Sequence, residues 1–316
     1  MSLSIGIDVG GTKIAAGVVD ESGKVIAQVR RPSPASDAGA IVSTVLSTAK
    51  ELAAEHTVSS IGVGAAGFVD SDRRSIIFAP NIMWRDEPLA DKLEEATGLP
   101  TLIENDANAA AWGEFTYGVA RNANSIVFIT LGTGVGGGII INGKLLRGSN
   151  GFAGEIGHLN LIPDGVNCGC GARGCWEQYS SGTALVRRAR ESATRSPELA
   201  KTLLRLAGGD PHAITGHTVM EAARQGCSAA IRAFDEVGRY VGIALADLVS
   251  ILDPDLFVLA GGVSEAGSLI RIPAEESFRD QQVGGAYRPN IPIVTATLGN
   301  DAGMIGAADL SRRKDA

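Results

Sequence analysis

The chain has no dense block of basic residues. Its 28 Lys and Arg are outnumbered by 35 Asp and Glu, leaving a formal charge of −7 over 316 residues. A nucleic-acid binder would carry a basic patch or stripe, and the one short run, Arg312-Arg313-Lys314, reads as a solvated end. Long apolar runs are missing too. The most apolar helix candidate, Ala230 to Leu252, is interrupted by Asp235, Glu236, Arg239 and Asp247, which excludes it as a membrane span. No secretory apolar region follows Met1, so the expected location is cytoplasmic, with neither nucleic acid nor membrane as partner. Cysteines number four, and three of them fall within eight residues, a pattern that in a cytosolic chain points to a metal before disulfides. Neither a P-loop nor a G-x-G-x-x-G turn opening a helix is present.

What the chain does have is glycine, 41 residues of it, gathered in a few places. The remaining composition, 45% hydrophobic and 20% charged, is that of a globular protein long enough for two domains. Ser4 to Val19 reads as strand, glycine turn, strand, and Glu21-Ser22-Gly23-Lys24 turns the chain into a third strand, Val25 to Arg30. The same unit recurs at Ser125 to Gly143, which points to an internal duplication. Between and after these copies, helices are expected over 40–54, 88–97, 107–115 and 230–252, and strands over 61–65, 101–104 and 256–260. Such alternation makes an α/β fold on two sheets, and two lobes of this kind leave a cleft.

The turns Asp8-Val-Gly-Gly-Thr12 and Leu131-Gly-Thr-Gly134 share a design. Glycines let backbone N–H groups approach an anion, and a threonine adds a hydroxyl. Either alone is an ordinary tight turn; the pair, with Gly261-Gly262, suits a triphosphate, and Asp8 could hold Mg²⁺ through water. Asp106, in Glu104-Asn105-Asp106, is a candidate to take the proton of an attacking hydroxyl, or else a helix N-cap. An ordinary carboxylate pKa would suffice for that task. Asn105 suits a sugar hydroxyl as donor and acceptor. Glu155 and Glu177 are either sugar ligands or surface acids. Cys168, Cys170 and Cys175 with His158 would fill a tetrahedral zinc shell and leave no open position; the alternative is free core cysteines, with His158 a core residue or a sugar contact.

Taken together, Asp8-Val-Gly-Gly-Thr-Lys13, Leu131 to Gly138, Glu155-Ile-Gly-His158 and Cys168 to Glu177 resemble the ROK family of bacterial sugar kinases and repressors, its ATP-dependent glucokinases above all. The resemblance implies a two-domain actin/hexokinase-like (ribonuclease H-like) fold, with residues 1–110 and 297–316 in a smaller domain and 111–296 in a larger one. It implies Asp106 as catalytic base. Gly67, Asn105, Asp106, Glu155, His158 and Glu177 would bind the sugar. Asp8, Gly10, Gly11, Thr12, Lys13, Gly132, Thr133, Gly134, Gly261 and Gly262 would bind Mg-ATP, and His158, Cys168, Cys170 and Cys175 structural Zn²⁺. The expected reaction moves the γ-phosphoryl group to the 6-hydroxyl of glucose, and the expected assembly is a homodimer or homotetramer. N-acetylmannosamine, N-acetylglucosamine, mannose and fructose are alternative acceptors. A sugar-sensing repressor is a second class, disfavoured because the first glycine turn begins too near Met1 to leave room for a DNA-binding helix-turn-helix. An actin-like ATPase would have no use for Glu155, His158 and Glu177.

Overall fold

In the computed structural model, which describes residues 2–34, 37–79 and 82–313, the alternation of Ile5, Ile7 and Val9 makes strand β1 (Ser4–Val9). Those three side chains are fully buried on one face, so Gly6 and Asp8 point to the other. The glycine turn leads to β2 (Lys13–Val19), and the turn at Asp20–Gly23 to β3 (Val25–Pro32). Helix α1 (Ala38–Glu55) starts where the Asp37 side chain accepts from the Ala40 N–H at 3.0 Å, and it buries Ile41, Val45, Ala49 and Leu52. Next come β4 (Ile61–Ala65), the short strands β5 (Phe68–Val69), β6 (Ile76–Ala79) and β7 (Trp84–Glu87), and α2 (Leu89–Thr97), which Gly98 ends at φ 72°. Strand β8 (Thr101–Asn105) runs directly into α3 (Asp106–Thr116).

The second copy supplies β9 (Ile126–Leu131), β10 (Val135–Ile141) and β11 (Lys144–Leu145). Helices α4 (Glu177–Ser180), α5 (Gly182–Arg195), α6 (Lys201–Leu206), α7 (Gly216–Arg224) and α8 (Ser228–Leu252) follow. The chain closes with β12 (Leu256–Ala260), α9 (Ser268–Gln281), β13 (Ile293–Thr295) and α10 (Ala302–Leu310). The two five-stranded sheets are ordered β3-β2-β1-β4-β8 and β11-β10-β9-β12-β13. Each uses its glycine hairpin in the same way, as the duplicated sequence pattern leads one to expect. The strands β5-β6-β7 form a small third sheet that periodicity did not reveal.

The chain divides into two units. One comprises Met1–Phe128, Gly137–Gly154 and Ala296–Ala316; the other comprises Ile129–Gly136 and Glu155–Thr295. In the first, α1 covers one face of the sheet and α10 the other. A Cβ on Gly6 would stand 1.9 Å from the Met304 carbonyl oxygen, and one on Gly62 would stand 1.8 Å from that of Ala307. Only glycine lets α10 lie directly on β1 and β4. Asp309 of α10 then accepts from Trp112 Nε1 at 2.8 Å and Tyr117 OH at 2.5 Å. Arg312 and Arg313, expected as part of a solvated end, instead pair with Asp309 at 3.3 and 2.5 Å. Met1 and Lys314 lie outside the described residues. In the second unit, β12 and β13 are parallel, and α8 buries Phe234, Val241, Leu245 and Leu248. Among the described residues, no helix is long and apolar enough to cross a membrane.

Candidate active site

Parallel pairing decides where the first unit puts its polar groups. Asp8 is registered with Gly64, Gly64 with Glu104, and Ala65 with Asn105, so β1, β4 and β8 end together. Carboxyl ends of parallel strands are where open α/β sheets place ligands. There, Asn105 caps α3: its side-chain oxygen accepts from the N–H groups of Ala107 at 2.9 Å and Asn108 at 3.1 Å. Its amide donates to the Gly67 carbonyl at 3.2 Å, which brings those two predicted residues together. The capping role considered for Asp106 therefore belongs to Asn105, and Asp106 is the first helical residue.

Asp106 is partly buried, and this desolvation raises its pKa against the opposing pull of the Ala107 N–H. The ordinary carboxylate expected from sequence thus becomes a stronger base. Asp8 is pushed up to about 7, chiefly by burial, then by the charges of Asp106 and Asp301, with Lys13 acting against them. Between Asp8 and Lys13 the turn closes through the Gly10 N–H on the Lys13 carbonyl at 3.0 Å. Behind Asn105 sits Glu104, fully buried and ion-paired to Arg73 and Arg147, a group that the sequence reading passed over. The signal was there, an acid inside an apolar strand immediately before the turn.

In the second unit, the turn Ile156–His158 is pressed so close to β10 that a Cβ on Gly157 would stand 2.0 Å from the Val135 carbonyl. It aims His158 Nδ1 at Cys168 Sγ, 3.6 Å away, while Cys170 and Cys175 Sγ also stand 3.6 Å apart. All four ligand atoms lie within 4.8 Å of one another. Tetrahedral zinc with Zn–S bonds of about 2.3 Å needs ligands roughly 3.5–4 Å apart, so the set fits. The fourth cysteine, Cys227, is elsewhere and faces the Leu199 carbonyl. Glu177, first residue of α4, accepts from Cys168 Sγ at 3.1 Å. Its other oxygen lies 2.5 Å from where a Cβ on Gly134 would be, which joins the glycine turn to the cysteine loop. Glu155 opens the His158 turn and is exposed.

Two of the remaining predicted glycines, Gly132 and Gly262 but not Gly261, border a cavity of about 750 Å³ in the same unit. Gly132, Thr133 and Gly262 line it together with Val186, Ile214 and Met220, and Arg187 and Arg190 add positive charge. The Gly182 N–H donates to the Gly132 carbonyl at 2.7 Å and the Thr183 hydroxyl to the Thr133 carbonyl at 2.7 Å, fixing the turn against the start of α5. A partly apolar cavity of this size with backbone amides at one edge can take a nucleotide. Its helical lining was not legible in sequence, because those residues look like ordinary surface and core positions of α5 and α7.

A sequence profile of the ROK family matches residues 4–314. The glucokinase of Streptomyces coelicolor is 49% identical over 315 residues, covering 100% of this chain and 99% of that one. The N-acetylmannosamine kinase of Yersinia pseudotuberculosis is 35% identical, covering 98% of each. Among solved structures, a ROK family glucokinase from Streptomyces griseus in complex with glucose and AMPPNP is 50% identical, with a TM-score of 0.90 over 98% of this chain and 99% of that one.

Proposed function

The chain belongs to the ROK family, and on that premise we propose that it transfers the γ-phosphoryl group of Mg-ATP to the 6-hydroxyl of glucose. The observation that carries this reading is Asp106, a partly buried carboxylate with raised proton affinity at the joint of β8 and α3, next to the Asn105–Gly67 hydrogen bond. Asp106 aligns the 6-hydroxyl and accepts its proton as the bond to phosphorus forms. Burial makes it a better acceptor than a solvated carboxylate, which matches a late proton transfer in a loose transition state. Gly67, Asn105, Glu155, His158 and Glu177 hydrogen-bond the sugar hydroxyls.

The adenosine of ATP takes the cavity beside Gly132, Thr133 and Gly262, and its phosphates lie against the glycine turns Gly10–Thr12 and Gly132–Gly134, with Lys13 and Gly261 contributing. Asp8 would hold Mg²⁺; its proton affinity, raised first by burial and then by the charges of Asp106 and Asp301, fits a site meant for a cation. Bound Mg²⁺ offsets charge on the transferring phosphates. His158, Cys168, Cys170 and Cys175 hold a structural Zn²⁺, with His158 Nδ1 toward the metal and Nε2 left for the sugar. As in the resemblance, a homodimer or homotetramer is expected.

A second acceptor reading is N-acetylmannosamine, favoured by the 35% identity to a kinase of that name. The test is kcat/KM for glucose, mannose, fructose, N-acetylglucosamine and N-acetylmannosamine, with the product phosphate located by NMR. A marked preference for glucose and phosphate on its 6-oxygen support the reading. Preference for an N-acetylated sugar moves the acceptor assignment, and sugar binding without turnover favours a sensor.

A further inference from the structure

Glu104 has no exposed surface, and it immediately precedes the Asn105-Asp106 turn. Burying a carboxylate is costly unless opposite charge and hydrogen-bond donors face it. Here the compensation comes from distant parts of the first unit. Arg73 Nε and Arg147 Nε stand 3.2 and 2.9 Å from one oxygen, as charge contacts outside hydrogen-bond alignment. The other oxygen accepts from the Asn105 N–H at 2.9 Å and from Asn108 Nδ2 at 3.1 Å. Arg73 occupies the turn between β5 and β6 at φ 59°, a left-handed conformation uncommon for arginine. Arg147, just after β11, also donates to the carbonyls of Ser71 at 2.9 Å and Asp70 at 2.8 Å. One carboxylate therefore holds both flanks of Asp106, the main chain before it and the first turn of α3 after it, and ties them to the Asp70–Arg73 turn. Stability alone does not call for this arrangement, because apolar groups of similar volume serve a core as well or better than a buried ion cluster.

We infer that Glu104, clamped by Arg73 and Arg147, is the positioning residue that sets the pose of Asp106 for proton abstraction; this rests on Asp106 being the base. Glu104 does not touch the sugar. It keeps Asp106 in line with the acceptor hydroxyl, where a misplacement of about 1 Å is worth roughly 100-fold in rate. The experiment is a cycle of Glu104→Gln and Asp106→Asn in the full chain, with glucose and Mg-ATP. Glu104→Gln is expected to lower kcat by roughly 10- to 100-fold while calorimetric glucose affinity and the ATP KM stay within about threefold. The double variant is expected to be no slower than Asp106→Asn alone, the non-additivity of groups acting as a unit. An unchanged kcat, a loss confined to glucose affinity, or losses that multiply in the double variant would overturn the inference. Should Glu104→Gln fail to fold by circular dichroism, Arg147→Lys, which keeps the charge but removes the planar fork, is judged by the same criteria. Turnover that survives Asp106→Asn by itself would instead sink the base assignment, and the positioning role with it.

Discussion

At the residue scale, the chemistry turns on two carboxylates where β8 runs into α3, the fully buried Glu104 and the partly buried Asp106. Asp106→Asn keeps the size and the hydrogen bond to the Ala107 N–H but cannot take a proton. Glucose affinity by calorimetry is expected to change less than about threefold, and kcat to fall by roughly 100- to 10,000-fold. Because burial raises the Asp106 pKa, the acid limb of the wild-type kcat profile is expected above the ordinary carboxylate range. A limb near pH 4 would contradict that environment. In the sequence Asp106 stood out at the end of an apolar strand, with an N-cap as the equal alternative, and the family resemblance is what singled it out as the base. Its raised pKa was not legible, since it depends on burial in the folded chain. Glu104 was missed for a related reason: its meaning lies in Arg73 and Arg147, which sequence distance keeps apart.

At the element scale, the glycine turns and the cysteine loop were readable because their chemistry is local. Three cysteines within eight residues, plus a histidine shortly before, needed only one loop to meet. Cys168→Ser is expected to lower zinc content, measured by atomic absorption, and to reduce thermal stability and glucose affinity together, because Glu177 directly follows the cysteine loop that the metal would hold. Full zinc and unchanged affinity would count against the metal assignment. Only the family resemblance gave the segment 297–316 a place, in the smaller domain, because every residue of α10 from Ala302 to Leu310 is buried and no amphipathic period marks it. Two tests address its seat. Gly62→Ala puts a methyl group against the Ala307 carbonyl and is expected to cost about 1–3 kcal/mol by urea unfolding. Asp309→Asn breaks the hydrogen bonds from Trp112, Tyr117 and Arg313 that hold this carboxyl below its ordinary pKa despite burial. That contribution is present above the unfolded pKa and is lost as pH falls through the depressed one, so the variant should lose most at neutral pH and little in acid.

For the whole molecule, the duplicated strand–turn–strand pattern in sequence became two sheets of matching strand order, which is how far topology could be read from one chain. The small β5-β6-β7 sheet escaped because its strands of two to four residues are too short to show a period. Stability should carry the mark of the site. Asp8 has a folded pKa near 7 against an ordinary value of 3.8, so the native state binds more protons than the unfolded one between those limits. Stability in Mg²⁺-free buffer should therefore fall as pH rises from about 4 to about 7. Asp8→Asn should melt higher than wild type at pH 8, by at least about 2–4 °C, while losing activity. An equal or lower Tm would argue against a strained carboxylate there. The most direct test of the central claim is glucose-dependent ADP formation from Mg-ATP by the wild-type chain and by Asp106→Asn. The account predicts sustained turnover in the first, with glucose 6-phosphate as product, and its near-complete loss in a folded, glucose-binding second. Equal rates in the two, or ADP formed at the same rate without sugar, would contradict it.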